Sequence, residues 1–187
     1  MPLTSNKELL IQARKGGYAV GAFNMNNLEI LQAIVSAGEA EKSPVILAVS
    51  EGAIKYAGMP YIVSMVRTAS EQTFIHLSLH LDHGTDLEVI RSCIENVFTS
   101  IMIDGSHLPF EENIEVTQKV VEKAKRKGVS VEAELGRLKG IEEKISVSDK
   151  EAFLTDPQAA EEFAKRTDVD ALAIAIGTSH GAYKFKG

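Results

Sequence analysis

Leu77-Ser78-Leu79-His80-Leu81-Asp82-His83-Gly84 is an apolar run that ends in ionisable side chains, and it sets the pattern for the whole chain. Leu77 to Asp82 reads as a strand of period two, with His80 and Asp82 on one face, Leu81 on the other, and His83 beginning the loop. Other short apolar runs follow the same plan: Gly21 to Asn24, Pro44 to Ser50, Ser100 to Asp104, Ser130 to Leu135 and Ala171 to Gly177. Each is apolar on both faces or nearly so, as strands buried under helices are, and a parallel sheet is expected.

Between these runs lie amphipathic stretches with helix-end signals. Ser5-Asn6-Lys7-Glu8 has the spacing of a capping box. After Pro109, Phe110, Ile114, Thr117, Val121 and Ala124 share one helical face, and Gly128 is a good C-terminal stop. Asp156-Pro157 starts a helix that runs to about Arg166. Strand-helix alternation permits an open doubly wound sheet or a (βα)8 barrel. The polar residues at the strand ends favour the barrel: Asn24, Ser50, Asp82-His83, Asp104-Ser106, Glu132-Glu134 and Ser179-His180. An open sheet concentrates its site at one switch point, whereas a barrel draws functional residues from many strand ends. The polar stretch from Arg137 to Lys150 is too long for an ordinary connection and reads as a candidate active-site loop.

Across 187 residues, 44% are hydrophobic and 25% charged, enough apolar material for one domain with a substantial core. The net charge of −6, with both signs interleaved, favours neither nucleic acid nor an anionic membrane surface. A lone cysteine, Cys93, fits a reducing compartment. Residues 1–7 lack a signal-peptide core and no apolar run approaches the ~18 residues of a membrane span, so a cytoplasmic protein is expected.

A histidine beside a carboxylate at a strand end, as in Asp82-His83, suits a metal ligand next to an acid/base group; a structural His-Asp pair is the plainer alternative. Gly177-Thr178-Ser179-His180-Gly181 repeats that character on another strand, and glycine amides can bind phosphate. Zinc sites need imidazoles converging from separate elements, so two such histidines at one end of a sheet reinforce each other. Glu132 and Glu134 point to the same side of their strand and need a cation, a proton or a basic side chain such as Arg137 or Lys139 nearby. Asp104 adds a further carboxylate. His76 and His107 carry no assignment.

These motifs together resemble the class II fructose-1,6-bisphosphate aldolases over essentially the whole chain. The matching segments are residues 17–24, Ser43 to Ala53, His80 to Gly84, Phe98 to His107, Phe110-Glu111-Glu112-Asn113, Ser130 to Gly136 and Gly177 to Gly187. The resemblance implies a (βα)8 TIM barrel of which about six units are present here as one incomplete domain, 1–187. It implies catalytic Zn2+ on His83 and His180, with a third histidine from a seventh strand that these residues do not include. By the same resemblance Asp82 is the acid/base residue at the aldehyde oxygen, and Glu142 moves the proton on dihydroxyacetone phosphate. Asp104 and Glu134 match a secondary position for a divalent or monovalent cation; Ser50 contacts substrate, and Gly181 and Lys184 hold its phosphate. The implied reaction is reversible cleavage of fructose 1,6-bisphosphate to dihydroxyacetone phosphate and glyceraldehyde 3-phosphate, in glycolysis and gluconeogenesis, by a homo-oligomer and without a Schiff-base lysine.

The chain also departs from the family pattern. A full barrel takes roughly 250 residues, so the 187 residues alone are expected to be inactive or nearly so. Asn96-Val97 stands where the family usually has Ala-Gly, removing a favourable helix C-cap, and His76-Leu77-Ser78 replaces a Pro-Val type strand entry. Two rival readings stand beside the first: an aldolase for tagatose bisphosphate or a related ketose, and a non-catalytic remnant that binds a partner.

Overall fold

A computed structural model describes residues 3–136, 140–142, 145–147 and 154–178. In chain order the elements are α1 (Asn6–Gly16), β1 (Gly21–Asn24), α2 (Leu28–Ala40), β2 (Val45–Ser50), α3 (Glu51–Ala57), α4 (Met59–Gln72), β3 (Leu77–Gly84) and α5 (Leu87–Glu95). They continue as β4 (Ser100–Ile103), α6 (Phe110–Lys125), β5 (Ser130–Leu135), β6 (Gly140–Glu142), β7 (Ile145–Val147), α7 (Pro157–Thr167) and β8 (Ala171–Ile174).

The helices begin and end where local chemistry satisfies their orphan backbone groups. Ser5 accepts a hydrogen bond from the Glu8 amide at 3.3 Å, Asn27 from Ile30 at 2.9 Å, and Asp156 from Ala159 at 2.8 Å. Helix α6 closes through Gly128, whose φ is 71°, with Val129 N–H bonding Ala124 O and Gly128 N–H bonding Lys125 O, the paired bonds of a Schellman motif. At the end of α5 the Asn96 amide side chain donates to Ser92 O at 2.7 Å, taking over the task of the missing glycine.

All strands of the main sheet are parallel, in the order β1-β2-β3-β4-β5-β8. That order never reverses. Right-handed crossovers that always step the same way put every helix on one face of the sheet, which is how a barrel is wound; a doubly wound sheet reverses direction partway. The six strands therefore form a curled, partial barrel, as the strand-end polar residues predict. Part of the expected long loop is instead an antiparallel hairpin, β6 with β7, inserted between β5 and α7.

The expectation of two apolar faces holds only in part. Val45, Leu47, Val49, Leu77, Leu79, Leu81, Ile101, Ile103, Val131 and Ala133 face the helices and join Ile62, Val66, Ile90, Ile114, Val121 and Phe163 in one buried cluster. The alternate positions, facing the barrel interior, include buried Ser78, His80, Ser100, Ser130 and Glu134. The outer strands are also more open than expected: Phe23 is 49% and Ile174 44% exposed, because β1 and β8 each pair with a strand on one side only among the described residues.

Helix α1 crosses the amino-terminal ends of the strands. Thr4 N–H bonds Leu77 O at 2.8 Å, at the start of β3, and Lys7 Nζ lies 2.9 Å from Asp170 Oδ1, just before β8. Leu9 and Ala13 are on its buried side. With that end covered, the carboxyl ends of the strands are where a ligand can reach the interior.

Candidate metal centre

Between Leu81 and Gly84 strand β3 advances three residues while β4 advances two, from Ile101 to Ile103. The extra residue makes a bulge, and His83 takes it up in the left-handed region at φ 47°. That conformation costs a side-chain-bearing residue roughly 1–2 kcal/mol. It turns the imidazole across the strand end, so that His83 Nδ1 lies 2.9 Å from Asp104 Oδ2 and 3.5 Å from Glu134 Oε2. Gly84 permits the bulge: a Cβ there would lie 2.7 Å from the Met102 carbonyl oxygen, 2.8 Å from Leu81 Cδ2 and 2.9 Å from Ile90 Cγ1. Beyond it, one oxygen of Glu51 accepts from the Thr85 and Asp86 amides, both at 2.7 Å, and so fixes the loop that leaves the site.

Ligand atoms of His83, Asp104 and Glu134 all lie within 4.8 Å of one another, with Asp104 and Glu134 buried. Burial by itself would raise the Asp104 carboxyl, but hydrogen bonds from His83 and from Ser106, whose amide is at 3.0 Å, outweigh it and hold the group below its usual range. Donors about 2.0–2.2 Å from a shared tetrahedral ion stand roughly 3.3–3.6 Å apart. The Glu134 contact of 3.5 Å matches that spacing and the Asp104 contact of 2.9 Å is tighter, as a proton shared between the two groups would make it. Exchange of that proton for a divalent cation fits the donor set, since imidazole and carboxylates together suit zinc and its first-row neighbours.

A deeper interior layer carries His80, Ser100 and Glu132. His80 and Ser100 are register partners, and Nδ1 meets Oγ at 2.9 Å. Burial first, and then the nearby His83, push the His80 imidazole down to about 3, so it is neutral at ordinary pH. Its 3.7 Å approach to Glu132 Oε2 is therefore neither an ion pair nor a hydrogen bond. Burial, with a further contribution from the Asp82 charge, pushes the Glu132 carboxyl up to about 7. Asp82 itself is the register partner of Ser50, whose hydroxyl accepts from Ala53 N–H at 3.2 Å and caps α3.

Of the residues singled out in the sequence, Ser50, Asp82, His83, Asp104 and Glu134 gather at the carboxyl ends of β2 to β5. Of Glu142 the structure describes the backbone, as the last residue of β6. His180, Gly181 and Lys184 lie outside the described residues, as do Arg137 and Lys139. Sequence reasoning missed the contributions of Glu51, Ser100 and Asn113. Asn113 left a signal: it stands four residues before Thr117, and these two are the polar side chains on a buried stripe of α6 that is apolar at Ile114, Val120, Val121 and Ala124.

Comparison with known proteins accords with this geometry. The family described as fructose-bisphosphate aldolase class-II matches residues 4–187. The fructose-bisphosphate aldolase of Helicobacter pylori is 55% identical over 186 residues, covering 99% of this chain and 61% of that protein. A Coccidioides immitis chain described as a putative fructose-1,6-bisphosphate aldolase superposes with a TM-score of 0.88 at 35% identity, over 97% of this chain and 64% of that one. The YdjI aldolase of Escherichia coli K12 gives a TM-score of 0.84 at 32% identity, over 95% of this chain and 64% of that one. The chain thus spans under two thirds of the length of each of these relatives. With the single-direction parallel sheet and the His83, Asp104 and Glu134 cluster at its carboxyl end, the match over residues 4–187 places the chain in the class II fructose-bisphosphate aldolase family.

Proposed function

We propose that this chain forms the first strand-helix units of a zinc-dependent aldolase that reversibly cleaves fructose 1,6-bisphosphate to dihydroxyacetone phosphate and glyceraldehyde 3-phosphate. The observation that carries the reading is the convergence of His83, Asp104 and Glu134 at strand ends within a chain matched by the class II family along residues 4–187. The setting we assign is the cytoplasm, in a dimer or larger homo-oligomer. No helix among the described residues is long and apolar enough to cross a membrane.

In this reading His83 and His180 hold the catalytic ion, and Asp104 and Glu134 offer it, or a second cation, an adjacent position. When bound, the ion supplies Lewis-acid polarisation of the ketone oxygen. Glu142 removes the proton from the reacting carbon of dihydroxyacetone phosphate. Asp82 gives a proton to the new alkoxide in condensation and takes it back in cleavage. Its support is its place at the end of β3, beside His83 and close enough to Glu132 to raise that carboxyl. Ser50 contacts substrate from the neighbouring strand end, and Gly181 and Lys184 hold a phosphate.

The test is side-by-side cleavage of fructose and tagatose 1,6-bisphosphates by the native protein and its Asp82→Asn variant. Fructose bisphosphate is expected to be preferred, and loss of a positioned acid/base group lowers turnover by about 10²–10⁴-fold with metal content unchanged. A preference for tagatose bisphosphate would move the assignment to the sister enzyme, and cleavage of neither by the native protein, as distinct from residues 1–187 alone, would favour a partner-binding role.

A further inference from the structure

The β4-β5 ladder ends at the pair Ile103 and Ala133, one residue before Asp104 and Glu134. The two carboxylates of the cluster thus stand one residue beyond the last registered pair of β4 and β5, where each strand is held from its other side: Asp104 N–H bonds Gly84 O of β3 at 2.9 Å, and Glu134 is in register with Ala173 of β8. A third element bridges the gap. Asn113, in the first turns of α6 and 1% exposed, donates from Nδ2 to the Glu134 carbonyl oxygen at 2.9 Å. Its Oδ1 accepts from the fully buried Thr117 hydroxyl at 3.2 Å, which sets the direction of the amide. The same Oδ1 lies against the backbone that follows Asp104: a Cβ on Gly105 would be 2.2 Å from it.

We propose that Asn113, oriented by Thr117 and seated on Gly105, is a positioning residue that sets the spacing of Asp104 and Glu134 and hence the metal affinity of the cluster. This rests on the metal-binding reading above. The contacts are to main chain on both sides, so the residue acts on where each carboxylate begins rather than on the carboxylates themselves. An asparagine is suited to this because one planar group carries a donor and an acceptor. Aspartate would set an acceptor against the Glu134 carbonyl, and alanine would leave that carbonyl and the Thr117 hydroxyl without these partners.

The experiment is a Co2+ titration of the native protein, stripped of metal beforehand, followed by the visible bands of the bound ion. Asn113→Asp and Thr117→Val are compared with Thr167→Val, which removes a buried hydroxyl bond to Phe163 O in α7. Outer contacts of this kind are worth about 10–100-fold in metal affinity. Asn113→Asp is expected to weaken Co2+ by at least about tenfold, and Thr117→Val by less, with Thr117→Ser restoring it. Thr167→Val, although destabilising, should leave affinity unchanged. Equal affinity in folded Asn113→Asp and wild type overturns the proposal. Should Asn113→Asp not fold, Thr117→Val and Thr117→Ser decide: equal affinity in both overturns it. Failure of the underlying site is distinguished by His83→Ala and Glu134→Gln, since unchanged Co2+ binding in these would remove the cluster itself as the metal position.

Discussion

Replacing Gly84 with alanine should loosen both the barrel and its metal centre. The added methyl would sit 2.7 Å from the Met102 carbonyl oxygen, where ordinary contact begins near 3.4 Å, so β3 and β4 must part by roughly 0.7 Å at this point. Neither neighbour gives way readily. Met102 is held in register with Glu132 on its far side, and the Gly84 carbonyl itself accepts from the Asp104 amide at 2.9 Å. Overpacking of this kind costs about 1–3 kcal/mol. The displacement falls between His83 and Asp104, so a loss of about 10–100-fold in metal affinity accompanies it. Urea unfolding of metal-free protein measures the first effect and Co2+ titration the second. A Gly84→Ala protein as stable as wild type, with the same Co2+ affinity, would refute the claim that close backbone approach places His83.

Other consequences are open to the same measurements. His80 has its folded-state pKa depressed from 6.5 to about 3, so its contribution to stability is complete above 6.5 and is lost as pH falls through the interval below it. At pH 4 the loss approaches about 3 kcal/mol; His80→Gln should show a correspondingly flatter fall in urea stability between pH 7 and 4, and parallel profiles would contradict this. Asn96→Ala removes the 2.7 Å side-chain bond that closes α5 and should cost about 0.5–1.5 kcal/mol, whereas Val97→Gly should bring no gain, since Val97 is not in the left-handed region. Asp170→Ala strands the Val131 amide, which it accepts at 2.9 Å, and frees Lys7 of α1; a loss of about 1–3 kcal/mol in thermal or urea unfolding is expected.

The barrel was legible in the sequence because period-two strands leave an unmistakable trace when their last residues are polar: Ser50, Asp82 and Glu134 sit where alternation puts them. The helix ends were legible for a similar reason, since Ser5, Asp156 and Gly128 act within a few residues of themselves. What escaped depends on distant partners. His83 was read as the start of a loop, but the β4 register keeps it in the strand as a bulge, and nothing local announces that. Asn113 was visible only as a polar residue on an apolar stripe, because its partner at Glu134 is 21 positions away. The β6-β7 hairpin lies in a polar stretch with little apolar alternation, and the exposure of Phe23 follows from edge position, a property of the sheet and not of the strand.

The most direct measurement is the rate of fructose 1,6-bisphosphate cleavage by the native protein before chelation, after exhaustive removal of metal, and after return of Zn2+, with a parallel borohydride treatment in the presence of substrate. The account predicts activity that falls to background on metal removal, recovers with Zn2+ and is indifferent to borohydride. Cleavage that survives metal removal and is lost to borohydride would point to a lysine Schiff base and contradict it.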